Sequence, residues 1–200
     1  NFPHGIEILT EADYFTLANR TNAYLNVSCY IAQFEEYYEP LINHLVDKKL
    51  QHWEEEIRQL AGKALSVLSI FNPKLVIEKY LPTIYNNCFS KVLHVRHGAL
   101  WGLSELILGL SGLSHVSRNK KLEEAMQQIH KKEIEILKSG NDKEEFYYLF
   151  NELQCQNNLY LINSELFENI KSVVIDLDKK GLLKGKGGEP MRFSVNQFIQ

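Results

Sequence analysis

Small and apolar residues recur at helical spacing along the first half of the chain, and the pattern returns after a fixed interval. Arg20, Arg58 and Arg96 stand 38 residues apart. An alanine follows each arginine three positions later, and a valine or leucine follows seven positions later: Ala23, Ala61, Ala99, Val27, Leu65 and Leu103. Offsets of three and seven lie on one face of an α-helix. The pattern therefore predicts three helices in equivalent positions of a repeat.

A second helical pattern, with a proline inside it, precedes two of these helices at Pro40 and Pro82. Each unit is then helix, loop, helix, and it covers its apolar stripe only by stacking on the next unit. This predicts an all-α fold, an α-solenoid of stacked antiparallel helix pairs. The period resembles that of HEAT repeats, roughly 40–47 residues, with armadillo and other α-solenoids as close alternatives. An ordinary amphipathic bundle is a further alternative, although a register kept by three units disfavours it.

We expect one solenoid domain with three parts: regular repeats over 1–115, a variable insertion over 116–164, and final helices over 165–200. Within the insertion, the pattern predicts a charged helix over 120–137 and another over 144–153. Ser164 is the predicted cap of a helix that runs to about Lys180 and stops at Gly181. A last helix is predicted from about Glu189, and its Arg192, 96 residues after Arg96, would open a further repeat.

Composition narrows the class of protein. The chain has 200 residues, of which 44% are hydrophobic and 24% charged, so it can form a packed core. The net charge of −3 gives no reason to expect nucleic acid as a partner. No apolar run reaches the roughly 20 residues of a membrane span. Three cysteines without a CxxC pair favour a reducing compartment. The opening Asn1-Phe2-Pro3 suggests a piece of a longer protein.

Motifs for catalysis, cofactors and metals are weak. The loop from Gly181 to Gly188 contains Lys186 but has the wrong glycine spacing for a phosphate loop and lacks a following Ser or Thr. His94 and His97 have no nearby carboxylate or cysteine to complete a metal site. We therefore predict no catalytic, cofactor-binding or metal-binding residues, and no cofactor.

Several segments occur together in a recognisable order: Phe2-Pro3-His4-Gly5, Ala12-Asp13-Tyr14-Phe15, Asn19-Arg20, His44-Leu45-Val46, His52-Trp53, Ile57-Arg58, Leu60-Ala61, His94-Val95-Arg96-His97-Gly98 and Gly187-Gly188-Glu189-Pro190-Met191-Arg192. This set resembles the carboxy-terminal part of the tubulin-folding cofactor D chaperones, which are large HEAT-repeat proteins. The resemblance covers about 1–115 and 165–200.

The resemblance implies a function. Members of that family bind β-tubulin and cooperate with other tubulin cofactors to assemble and dissociate the α/β-tubulin heterodimer. They also associate with an Arf-like small GTPase, and the resemblance implies GTPase-activator activity for the family. By resemblance the chain is a cytoplasmic, cytoskeleton-associated scaffold and not an enzyme. Because no nucleotide-binding loop is evident in the sequence, we also predict that the chain has no GTPase activity of its own. The alternatives are a HEAT scaffold for other cargo and an enzyme of unknown reaction.

The second helices of the units, near 20–33, 57–70 and 95–112, are expected to line one concave face. Residues off the alanine and leucine stripe of these helices are then available to a partner, and the candidates are Gln59, Lys63, His97, Trp101 and Glu105. An exposed Trp101 would anchor an interface. The alternative is that Trp101 packs between helices.

Overall fold

The computed structural model describes residues 20–112, 158–184 and 187–199, and these residues form seven helices. Helix α1 has three segments, Arg20–Asn22, the π-helical Ala23–Val27, and Ser28–Ile31. Helix α2 is Glu35–His44 with a π-helical continuation, Leu45–Lys49. Helix α3 is Glu55–Leu68. Helix α4 comprises Pro73–Leu75, the π-helical Val76–Tyr80, and Leu81–Asn87. Helix α5 is Leu93–Leu110. A 3-10 turn, Leu159–Leu161, precedes α6, Ser164–Lys179, and α7 is Gly188–Ile199. None of the described residues forms a β-strand.

The helices form two layers. Helices α1, α3, α5 and α7 pack side by side in chain order in the first layer. In the second layer, α2 meets α4 through the hydroxyl of Tyr80, which lies 2.9 Å from Oδ1 of Asn43. Next to α4, the ammonium group of Lys180, just after α6, lies 3.8 Å from the ring centre of Phe89. The predicted all-α solenoid of stacked helix pairs is therefore confirmed.

Small residues bring α3 and α5 together, as the alanine register predicts. Ala61 of α3 and Ala99 of α5 are buried, and a Cβ atom on Gly109 of α5 would lie 2.4 Å from the carbonyl oxygen of Ser66 on α3. Gly98 has no room for a side chain, because a Cβ atom there would lie 1.8 Å from the carbonyl oxygen of Leu50, at the end of α2. A Cβ atom on Gly102 would lie 2.7 Å from a methyl carbon of the same leucine. The close approach of α5 to its neighbours therefore depends on the missing side chains.

Helix α6 begins and ends close to the predicted residues, with one correction. The side chain of Asn163, not that of Ser164, caps the helix by accepting a hydrogen bond from the backbone N–H of Leu166 at 2.8 Å. Asn163 has the extended backbone that a cap needs, whereas Ser164 is already helical. Gly181 follows the helix with φ of 68°, a conformation that favours glycine.

The predicted helices over 120–137 and 144–153 lie outside the described residues, so the proposed insertion stays a prediction. Within the described ranges, no helix combines the length and apolar character needed to cross a bilayer.

Candidate partner-binding surface

The loop between α2 and α3 is held by a buried arginine. Nη1 of Arg58 donates hydrogen bonds to the carbonyl oxygens of His52 and Trp53, at 2.8 Å each. Within the loop, Nδ1 of His52 accepts a hydrogen bond from the backbone N–H of Glu54 at 3.0 Å. We call these three hydrogen bonds the loop clamp.

The next repeat contains the same clamp 38 residues later. Nη1 of Arg96 donates to the carbonyl oxygens of Ser90 and Lys91, at 2.7 and 3.5 Å. Oγ of Ser90 accepts from the backbone N–H of Val92 at 3.2 Å. The arginine spacing in the sequence therefore has a structural cause: each buried guanidinium satisfies two carbonyl groups of the loop before its helix.

The other arginines in this register do not repeat the clamp. Arg20 is exposed and forms an ion pair with Glu54 at the start of α3. Arg192 of α7 is exposed as well. Among the described residues of this register, only Arg58 and Arg96 are thus buried. Arg192 has the predicted spacing from Arg96, but its side chain is exposed and not buried like that of Arg96.

Arg58 also contacts the next helix of its layer. Its Nε donates to Nδ1 of His97 on α5 at 3.2 Å, and His97 is fully buried. Burial, assisted by the positive charge of Arg58, lowers the pKa of His97 to about 4. The imidazole is therefore neutral at physiological pH and accepts through Nδ1. Its Nε2 lies 3.7 Å from a carboxylate oxygen of Glu55.

Three rings stack from α5 to α7. His97 and Trp101 have ring centres 6.2 Å apart, and Trp101 and Phe193 have ring centres 6.0 Å apart, with planes inclined by only 12° and 18°. Trp101 is 5% exposed, whereas Phe193 is 59% exposed. Phe193 therefore covers Trp101 and leaves its own outer side open to solvent.

The five predicted partner-binding residues fall into two groups. Gln59 is half-buried on α3 and donates to a carboxylate oxygen of Glu55 at 3.0 Å, while Lys63, one turn later, is exposed. The other three, His97, Trp101 and Glu105, are buried on α5. The packing alternative for Trp101 is the one that the structure supports. Gln59 and Lys63 remain predicted contact residues on an accessible surface.

The exposed tryptophan of this region is Trp53, which is not among the partner-binding residues predicted from the sequence. It lies in the clamped loop with 76% of its surface exposed, and its ring stacks on that of His52 at 5.4 Å. A signal was present in the sequence, because Trp53 lies in a turn directly before three glutamates that begin a helix. At 76% exposure, its side chain packs little against the rest of the described residues.

Groups suited to catalysis do not converge in the described part of the chain. An open groove of about 270 Å³ between α4 and α6 is lined by Pro82, Tyr85, Asn86, Asn163, Glu165, Leu166 and Asn169. Glu165 is the one carboxylate in that lining. Burial raises the pKa of the Cys29 thiol to about 12, so it stays protonated and is a poor nucleophile. Residues 20–112, 158–184 and 187–199 contain no cluster of side chains suited to a metal ion.

Two curated proteins are similar in sequence to this chain. A Dictyostelium discoideum protein named "Tubulin-specific chaperone D" is 39% identical over 124 residues, which are 60% of this chain and 8% of that protein. A Schizosaccharomyces pombe protein named "Tubulin-folding cofactor D" is 26% identical over 114 residues, 57% of this chain and 10% of that protein. No family model matches the chain, and no solved structure matches it. The resemblance found in the sequence is thus confirmed: the chain is similar to proteins named as tubulin chaperone or cofactor D, and it spans about a tenth of the length of these relatives.

Proposed function

We propose that this chain is a non-enzymatic scaffold module of a cytoplasmic tubulin-folding cofactor, and that it binds β-tubulin during assembly or dissociation of the α/β-tubulin heterodimer. The observation that carries the proposal is the 39% identity to a protein named as a tubulin-specific chaperone. The stacked helix pairs fit the role, since solenoids offer extended surfaces to protein partners. Other tubulin cofactors and an Arf-like small GTPase are further proposed partners, with GTP hydrolysis assigned to them and not to this chain.

The first layer of helices is the proposed binding face. Gly62 and Gly109 let α3 and α5 of this layer approach closely, whereas Tyr80 and Phe89 occupy contacts of the second layer. A solenoid bends toward the layer whose helices are closer together. The first layer would therefore line the concave side, where Gln59 and Lys63 are accessible.

Capture of purified α/β-tubulin by the immobilised chain tests this proposal. We expect the unaltered chain to retain tubulin, and Gln59→Ala combined with Lys63→Glu to weaken retention by about tenfold, a typical effect of removing contacts at an interface. Lys74→Glu is the matched control, because Lys74 is exposed on α4 in the second layer. Failure of the unaltered chain to retain tubulin would contradict the proposal, and so would GTP hydrolysis by the purified chain alone.

The second candidate is a solenoid scaffold for other cargo, because architecture alone does not fix function. Cross-linking of the chain in cytosol, followed by identification of the linked peptides, separates the two. Links from Lys63 to tubulin support the cofactor function. Links to another protein, with none to tubulin, favour the alternative.

A further inference from the structure

We propose that Trp53 is the anchor residue through which the chain engages β-tubulin, an inference that rests on the proposed function. Trp53 is the more exposed of the two tryptophans, with 76% of its surface accessible to solvent against 5% for Trp101. An exposed indole combines a large apolar surface with an N–H donor, and such residues contribute strongly to interfaces when a partner buries them.

The loop clamp holds Trp53 in place before any partner arrives. Its carbonyl oxygen accepts from Arg58 at 2.8 Å, and its ring stacks on His52, whose own backbone is bonded to the same guanidinium. Because Arg58 is only 5% exposed, the clamp is anchored in the core of the repeat. A side chain positioned in this way loses little conformational freedom on binding, which favours affinity.

The same clamp forms in the next repeat without a tryptophan. The equivalent residue of the next repeat is Lys91, whose carbonyl oxygen accepts from Arg96 as that of Trp53 accepts from Arg58. The two clamps differ in what they present to solvent and not in their backbone bonds. The backbone bonds of the clamp therefore do not depend on the indole, most of whose surface faces solvent.

The surroundings of Trp53 indicate the kind of partner. Three carboxylates follow it at Glu54, Glu55 and Glu56, and the end of α2 before it carries Lys48 and Lys49 beside Asp47. This stretch has no basic excess with which to hold an anionic bilayer. It fits a folded protein surface with an apolar pocket for the indole, a hydrogen-bond acceptor for its N–H, and a basic side chain at the rim.

The test uses this chain labelled with 5-fluorotryptophan, which gives one ¹⁹F resonance for Trp53 and one for Trp101. Unlabelled α/β-tubulin should shift the Trp53 resonance and abolish its sensitivity to exchange of H₂O for D₂O, while the buried Trp101 changes little. Trp53→Lys, which installs the residue of the next repeat, should keep the melting temperature and weaken tubulin binding by about 30-fold or more, as for a central interface residue.

Two further variants separate anchoring from loop order. His52→Ser, which copies Ser90 of the second clamp, should keep the bond to the Glu54 N–H but remove the ring stack, with a smaller loss of affinity. Tyr160→Ala, at a residue 79% exposed on the 3-10 turn, should leave binding unchanged.

The outcomes distinguish this inference from the proposed function. Tubulin binding with full affinity by Trp53→Lys would overturn the anchor and leave the function standing, whereas no tubulin binding by the unaltered chain would overturn both. A shift of the Trp53 resonance with vesicles of phosphatidylserine and phosphatidylcholine, and none with tubulin, would overturn the anchor in favour of a membrane contact.

Discussion

Arg58 on α3 and His97 on α5 are joined by a buried hydrogen bond of 3.2 Å from Nε to Nδ1, so the arginine that orders its own loop also connects two repeats. The same guanidinium bonds two loop carbonyl groups. Three acceptor atoms, the carbonyl oxygens of His52 and Trp53 and Nδ1 of His97, are therefore positioned by one side chain. Stability of the array and presentation of the loop surface are coupled through Arg58.

Removal of this arginine should be costly. We expect Arg58→Ala to lower the free energy of unfolding by about 3 kcal/mol, because it leaves two carbonyl groups and an imidazole nitrogen without a partner. Arg96→Ala should cost less, since one of its two carbonyl contacts is 3.5 Å long and its buried Nε has no hydrogen-bond partner among the described residues. Urea denaturation measures both, with the exposed Arg192→Ala as control. Equal losses in all three variants would contradict the coupling.

The contact between α5 and the end of α2 should not tolerate even a single added methyl group at Gly98. Gly98→Ala places a Cβ atom 1.8 Å from the Leu50 carbonyl oxygen, which is backbone and cannot rotate away, so we expect a loss above about 3 kcal/mol. Gly102→Ala meets only the flexible side chain of Leu50 and should cost less, about 1–2 kcal/mol. Thermal unfolding of the two variants checks the order, and a more stable Gly98→Ala would show that the helices do not approach so closely.

The neutral imidazole of His97 should make stability depend on pH. Its folded-state pKa of about 4 lies below the ordinary value of 6.5, so between these values the unfolded chain binds a proton that the folded chain does not. The stabilisation of the folded chain by the neutral imidazole is fully present above pH 6.5. It is lost as the pH falls toward 4, which lowers the free energy of unfolding by up to about 3 kcal/mol. Protonation would be opposed by Arg58 and partly compensated by the Glu55 carboxylate at 3.7 Å from Nε2.

His97→Asn is the matched variant for this pH dependence, because its side-chain oxygen can still accept from Arg58 but does not titrate. We expect urea unfolding to show a smaller loss of stability between about pH 7 and pH 4 in the variant than in the unaltered chain. Identical pH profiles would rule out His97 as the titrating group.

Trp101 should prove structural. Trp101→Ala removes the middle ring of the stack between His97 and Phe193 and should lower the free energy of unfolding by about 3–5 kcal/mol. Trp101→Phe retains a ring at the site and should cost about 1–2 kcal/mol. Folded molecules of the Phe variant should retain tubulin as well as the unaltered chain does. A loss of tubulin binding without loss of stability would restore Trp101 as an anchor.

The local pattern of residues was sufficient to predict the helices and their seam. Ala61, Leu65, Ala99 and Leu103 were expected on one buried stripe, and all four are buried. The stop of α6 at Gly181 followed from its local chemistry in the same way. Such features depend on neighbours within one or two helical turns, which the sequence displays directly.

The environment of individual side chains was decided by tertiary structure alone. Gln59 and His97 hold equivalent positions 38 residues apart, yet Gln59 is half-buried and His97 is fully buried between Arg58 and the stacked Trp101. Trp101 is covered by Phe193, 92 residues further along the chain, a contact that no local pattern could indicate. The sequence by itself determined a repeating all-α array, because helical periodicity is local. Only the packing of distant helices determined which tryptophan is buried and which faces solvent, because burial depends on residues brought together by the fold.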